Sequence, residues 1–114
     1  MIHKMKLQPV PFNMIRDGLK TVELRLYDEK RRRIAVGDGV EFTSTETGEV
    51  IYTEVIALHR FNSFEELYRA IPLTRCGYTE ETVASAKAED MLSYYSPEEQ
   101  KKYGVVGIEI SLKS

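Results

Sequence analysis

The stretch Gly18-Leu19-Lys20-Thr21-Val22-Glu23-Leu24-Arg25-Leu26 lays a dense set of polar groups over a strict two-residue alternation. Val22, Leu24 and Leu26 fall on one face of an extended chain, and Thr21, Glu23 and Arg25 on the other. The pattern predicts a β-strand over 21–26 with one apolar face turned to a core. Gly18 lets the backbone turn where a side chain would obstruct it, so Lys20 sits at the mouth of the strand. Lys20, Glu23 and Arg25 then project near one strand end, where a barrel opens. A cleft there offers two cations for a phosphate or carbonyl oxygen, and one carboxylate for a base edge or for proton transfer. The same spacing also fits an exposed Glu–Arg pair, worth only ~0–1 kcal/mol.

Working outward, residues 3–7 read as a short strand ended by Pro9 and Pro11. Pro11 fits the first turn of a helix through Asp17, which Gly18 stops. Downstream, Asp28 caps a short helical turn through Arg33, and Val36-Gly37-Asp38-Gly39 is a turn. Val40 to Ser44 alternates, with a hairpin loop at Glu46-Thr47-Gly48. Glu49 to Phe61 is β-branched and apolar on both faces, which predicts a long, curved strand buried on two sides. Ser63-x-x-Glu66 is a capping box, and Phe64, Leu67, Tyr68 and Ile71 form a helical stripe ended by Pro72. A second helix is predicted from about Thr79 to Tyr95, with Ala84, Ala88, Met91, Leu92 and Tyr95 on one face. Ser96-Pro97-Glu98-Glu99 starts a third, stopped by Gly104. Val106, Ile108, Ile110 and Leu112 alternate in a closing strand, which should pair with an early one. The result is a mainly β, α+β chain: a small, partly open barrel with helices packed on it.

The 114 residues fit one domain, 1–114, at the usual ~100–150 residues per domain. With 42% hydrophobic and 30% charged residues, wholesale disorder is not expected. No apolar run approaches the ~18–20 residues of a membrane span, and Met1 to Lys6 lacks a signal-peptide pattern. Cys76 stands alone, so neither an internal disulfide nor a cysteine zinc cluster can form. A cytoplasmic location is the expectation.

The net charge of −2 gives no general affinity for nucleic acid. Its distribution says more. Residues 1–36 hold nine Lys/Arg against four Asp/Glu, whereas residues 37–114 hold seven against fourteen. A basic region on an acidic protein attracts phosphate locally. Within it, Lys30, Arg31, Arg32 and Arg33 are consecutive and able to hold backbone phosphates. On a helical turn at most two of them face one ligand. Tyr27, Tyr94, Tyr95 and Tyr103 offer rings for stacking on bases or for a core. His3 and His59 are far apart and have no accompanying carboxylate spacing, so no metal is expected. No Walker or dinucleotide fingerprint points to a cofactor. Cys76 has no nearby histidine to activate it. The acidic helical half, 63–103, allows a protein-binding role but selects no partner.

Three stretches together resemble the ASCH domain family, small β-barrels of the PUA-like fold related to RNA-binding PUA modules. The first is the family's hallmark G-x-K-x-x-E-x-R, here Gly18-x-Lys20-x-x-Glu23-x-Arg25. The second runs from Leu26-Tyr27-Asp28-Glu29-Lys30-Arg31 to Gly37-Asp38, and the third is the late strand Tyr103 to Ile110. The resemblance implies a cleft beside the barrel in which Lys20, Glu23 and Arg25 face a nucleotide or RNA. Gly18, Thr21, Tyr27, Arg31, Arg32 and Arg33 are the further candidate ligand-binding residues. It also implies an alternative, an enzyme with Lys20 and Glu23 as catalytic groups. One version is a small hydrolase acting on modified nucleosides, as in the branch that deacetylates N(4)-acetylcytidine; the other is a single-strand ribonuclease. The amidohydrolase branch carries threonine where this chain has Glu23. It also uses a later glutamate with no counterpart at Cys76-Gly77-Tyr78, although Glu80 and Glu81 follow.

Overall fold

The computed structural model describes residues 1–113, so the last residue of the expected 1–114 unit lies outside it. The chain runs β1 (Ile2–Leu7), α1 (Pro9–Arg16), β2 (Val22–Leu26), β3 (Gly39–Ser44), β4 (Val50–Phe61), α2 (Phe64–Ala70), α3 (Pro97–Tyr103) and β5 (Val105–Leu112). A 3-10 turn at Arg31–Arg33 joins β2 to β3, and three more lie between α2 and α3. The strands form one curved sheet in the order β1-β3-β4-β5-β2, a half-barrel with flanking helices and so the expected PUA-like α+β arrangement. β1 runs parallel to β3, and every other pair is antiparallel. The late strand β5 does lie beside the early β2, with Glu23 opposite Ile108 and Arg25 opposite Val106.

β5 separates two cores. Val106, Ile108 and Ile110 face the barrel interior with Met5, Phe12, Ile15, Val40, Phe42 and Val55. Val105 faces outward with Val22, Leu24 and Leu26 of β2, under Phe64, Leu67 and Ile71 of the α2 segment. Gly107 permits this approach: a Cβ there would sit 3.0 Å from Val22 Cγ1 and 3.1 Å from Ile71 Cδ1. The apolar side of β2 therefore belongs to the outer core. Its polar side, Glu23 and Arg25, is turned toward the barrel interior. Because β1 and β2 are the two sheet edges, the barrel is open between them, on that polar side.

The caps follow the sequence closely. Ser63 Oγ accepts from Glu66 N at 3.2 Å and Ser96 Oγ from Glu99 N at 3.1 Å. The Glu66 carboxylate reaches Asn62 N, and that of Glu99 closes back on Ser96 N. Helix α1 starts at Pro9, two residues earlier than the second proline suggests.

Two expectations are corrected. β4 is long and bent by a bulge between Val55 and Ala57, but it is not buried on both sides. Thr53 and Val55 are buried, whereas Val50, Tyr52, Glu54 and Ile56 are exposed. α2 and α3 cover the outer faces of β2 and β5 and reach β4 only near Phe61, whereas α1 packs on the barrel interior. The predicted helix over 79–95 is absent. In its place are 3-10 turns at Val83–Ser85 and Ala88–Ser93, broken at the extended residues Ala86 and Lys87. Local side-chain bonds win there: Thr82 Oγ1 accepts from Thr79 N, Thr79 Oγ1 from Thr82 N, and the Asp90 carboxylate from Lys87 N. Met91 alone of the expected stripe is fully buried, and Ala84 and Leu92 are exposed. Among the described residues no helix is long and apolar enough to cross a membrane.

Candidate functional site

The gap between the edge strands opens into a cavity of about 580 Å³. β1 and α1 supply one side of it (Lys6, Gln8, Met14), and β2 supplies Glu23 and Arg25. The segment after α2 closes it with Cys76, Gly77, Tyr78, Asp90, Tyr94 and Tyr95.

The end of α1 delivers Lys20. Gly18 takes the left-handed conformation at φ +77°, and the N–H groups of Leu19 and Lys20 both donate to Met14 O, wrapping the chain back over the helix end. Gly77 closes over the lysine stem. Its φ is +107°, and a Cβ there would lie 3.4 Å from Lys20 Cδ. The side chain of Lys20 is left only 10% exposed.

Three charges meet at the deep end. Lys20 Nζ lies 2.8 Å from Glu23 Oε1. Arg25 donates to Glu23 Oε2 from Nε at 3.2 Å and from Nη2 at 3.0 Å. Arg25 Nη2 also donates to Lys6 O at 3.2 Å, linking one open edge of the barrel to the other. Glu23 is 5% exposed and Arg25 16%. Burial by itself raises the Glu23 pKa, but the two cations outweigh it and hold the carboxyl below its ordinary value. Burial likewise weakens the charged form of Arg25, and the Glu23 charge, helped by Tyr95, more than reverses that. Two cations and one anion leave one net positive charge in a nearly dry recess. The lysine has three N–H donors and Glu23 Oε1 takes one of them; the guanidinium has Nη1 donors beyond those given to Glu23 and Lys6, with Tyr95 beside it. The recess is therefore a donor surface. A carboxyl held ionised on both oxygens is a weak proton acceptor near neutral pH.

Tyr68, Tyr78 and Asp90 bring two hydroxyls and a carboxylate to the same cavity. The Tyr78 hydroxyl donates to Asp90 Oδ2 at 2.7 Å and lies 2.8 Å from the Tyr68 hydroxyl. Burial, then the bonds to Tyr68 and Asp90, push the Tyr78 pKa well above its ordinary value. The Tyr78 bond first, and then the Lys87 N–H, holds Asp90 low. Burial pushes the Cys76 thiol up to about 11, so it stays protonated and unreactive. At the mouth stand Lys6 and the ring of Tyr94, 69% exposed.

The structure brings Lys20, Glu23 and Arg25 together and sends the other predicted residues elsewhere. Gly18 and Thr21 line a separate hollow with Arg75 and Glu109, and the buried Thr21 hydroxyl has no hydrogen-bond partner among the described residues. Tyr27 lies beneath Arg32, whose Cζ is 4.5 Å from the ring centroid. Arg32 also donates to Tyr27 O and Tyr103 O. Arg31 pairs with Asp28 at 3.0 Å. Arg33 shares a shallow surface hollow with Lys30, Glu29 and Tyr103. Both histidines bind carboxylates, His3 with Asp38 and His59 with Glu109. The sequence reading missed Lys6, Tyr68, Tyr78 and Asp90 as lining groups. Tyr94 and Tyr95 were visible as candidate stacking rings. Asp90 gave no signal, because it falls in the segment read as a helix.

A family model described as "ASCH domain" matches residues 5–114. Several solved structures share the architecture. The hypothetical protein PH0355 is 35% identical, with a TM-score of 0.80, over 99% of this chain and 100% of that one. Protein PF0455 from Pyrococcus furiosus is 34% identical, with a TM-score of 0.74, over 98% of this chain and 97% of that one. ASCH from Zymomonas mobilis is 17% identical, with a TM-score of 0.64, over 96% of this chain and 66% of that one, a likeness of fold alone. No curated protein sequence matches the chain.

Proposed function

From the premise that the chain belongs to the ASCH domain family, we propose that residues 1–114 act as one domain whose cavity binds a nucleotide unit of single-stranded RNA or a free nucleotide. Family membership supports a role connected with nucleic acids in general. The observation that supports the finer reading is the buried Lys20–Glu23–Arg25 triad at the deep end of a cavity of about 580 Å³. A cavity of that size suits a nucleoside. Lys20 and Arg25 donate to carbonyl or ring-nitrogen acceptors of a base. The exposed Tyr94 ring offers a stacking surface, and Lys6 a cation for the trailing phosphate.

Glu23 serves in this reading as the fixed counter-ion that aims both cations. Both of its oxygens are taken by Lys20 and Arg25, an arrangement that suits holding the cations more than accepting a proton in hydrolysis of N(4)-acetylcytidine or RNA cleavage. Calorimetric titration with nucleoside monophosphates and short single-stranded RNA, at several salt concentrations, tests the proposal. Binding should weaken only modestly with salt, since one or two phosphates are neutralised. Lys20→Ala should lower affinity about tenfold or more. Arg25→Lys, which keeps the charge and loses the fork, should also bind more weakly. A folded parent that binds no nucleotide, or a Lys20→Ala variant that binds as well as the parent, overturns it.

A further inference from the structure

Resting on the ligand reading above, we infer that Asp90 selects the ligand, requiring a base that carries an exocyclic amino group as well as acceptors, as cytosine and adenine do. The protons along the lining of the cavity run in one direction. Asp90 ionised can only accept, so the Tyr78 hydroxyl gives it its single proton, over 2.7 Å. Tyr78 then has no proton left for Tyr68, so across their 2.8 Å contact Tyr68 must donate and Tyr78 accept. Both phenolic protons are thereby consumed in one direction, toward Asp90. Oδ2 of Asp90 takes the Tyr78 hydroxyl and the Lys87 N–H, at 2.7 and 3.3 Å, while Oδ1 accepts from none of the described residues.

The relay therefore ends in a solvent-exposed carboxylate whose second oxygen takes no donor among the described residues, lining the same cavity as Lys20 and Arg25, which bring N–H donors to it. A bare phosphate fits only half of this pattern, because Asp90 repels it. A planar ring with acceptors on one edge and an amino group on another fits both halves. The Tyr68–Tyr78 pair holds the carboxylate in place. The two rings meet edge to face, with centroids 5.9 Å apart, so the relay is braced by packing as well as by hydrogen bonds. Asp90 also caps the turn that begins at Ala88. That structural role alone gives no reason for affinity to depend on a donor carried by the ligand.

The test compares cytidine and adenosine 5′-monophosphates with the 2-pyrimidinone and purine riboside 5′-monophosphates. The latter two keep ring acceptors and lack the amino group. The parent should prefer the amino-bearing pair by about tenfold or more, as expected for a hydrogen bond to a charged group. In Asp90→Asn the amide oxygen must accept from Tyr78 and Lys87, so the amide NH2 is left to face the ligand. The preference should vanish or reverse. Tyr78→Phe, which frees the carboxylate to swing, should reduce the preference in part. Equal affinity of the parent for both pairs, or a preference that survives Asp90→Asn, overturns the inference while nucleotide binding itself stands. A parent that binds none of the four compounds overturns this inference, and one that binds no short single-stranded RNA either overturns the nucleotide reading with it.

Discussion

Two basic clusters lie within fourteen residues of each other, and the fold treats them in opposite ways. Lys20 and Arg25 are separated in sequence by an intervening carboxylate and are buried around it. Lys30 to Arg33 form the denser run, and they are spread around a 3-10 turn on the surface. Arg31 is held by Asp28, Arg32 by two carbonyls and the Tyr27 ring, and Lys30 and Arg33 stand over a shallow hollow. Density of charge in the sequence thus does not mark the residues that line the cavity. The alternating spacing of a strand brings side chains onto one face, whereas a turn fans them apart. What concentrates positive charge at a site is a common direction and a dry surrounding.

The sharpest way to break this contrast is to remove the central anion of each cluster. Glu23→Gln leaves two buried cations without their partner and should cost about 3–5 kcal/mol of stability in urea unfolding followed by circular dichroism. Asp28→Asn should cost about 0–1 kcal/mol, as for a partly exposed pair. Equal losses would mean that the two clusters are energetically alike.

Acid should separate the parent from the same variant, with a smaller effect. The folded-state pKa of Glu23 lies below the ordinary 4.5, so its stabilisation is complete above about that pH and is lost as pH falls through the folded value. Asp38, pushed down to about 2 chiefly by its bond from His3, adds acid sensitivity in the same direction and is unaffected by the substitution. The unfolding free energy of the parent should therefore fall more steeply below pH 4.5 than that of Glu23→Gln. Identical slopes would show that Glu23 is not held ionised by its neighbours.

Arg32→Ala should have the smallest effect. It removes one cation from the Tyr27 ring and two bonds to carbonyls, costing about 1 kcal/mol. Nucleotide affinity should stay within about twofold of the parent. A larger loss of affinity would bring the arginine run back into the binding surface.

Much of the fold was legible because it rests on local chemistry. The alternation at 21–26 marked β2, Ser63 and Ser96 marked their helices, and Gly18 and Gly104 ended theirs. The two misreadings had one cause. Apolar spacing at Glu49–Phe61 and at 79–95 was read without knowing what would lie against it. β4 received helix cover only near Phe61, and the 79–95 segment followed its own Thr and Asp side-chain bonds instead of a helical stripe.

Which residues share the polar face of β2 is set locally, since a strand's side-chain period is a property of the backbone alone. The turns and the helix starts are set locally in the same way. Packing over long sequence distances decided that this polar face looks into an open barrel and that Arg25 spans the gap to β1. It also decided that a carboxylate sixty-five residues beyond Arg25, Asp90, lines the same cavity. Those relations join segments distant in the chain. They are set by which edges of the sheet stay unpaired and by where the two cores leave space, and neither is written in any local run of residues.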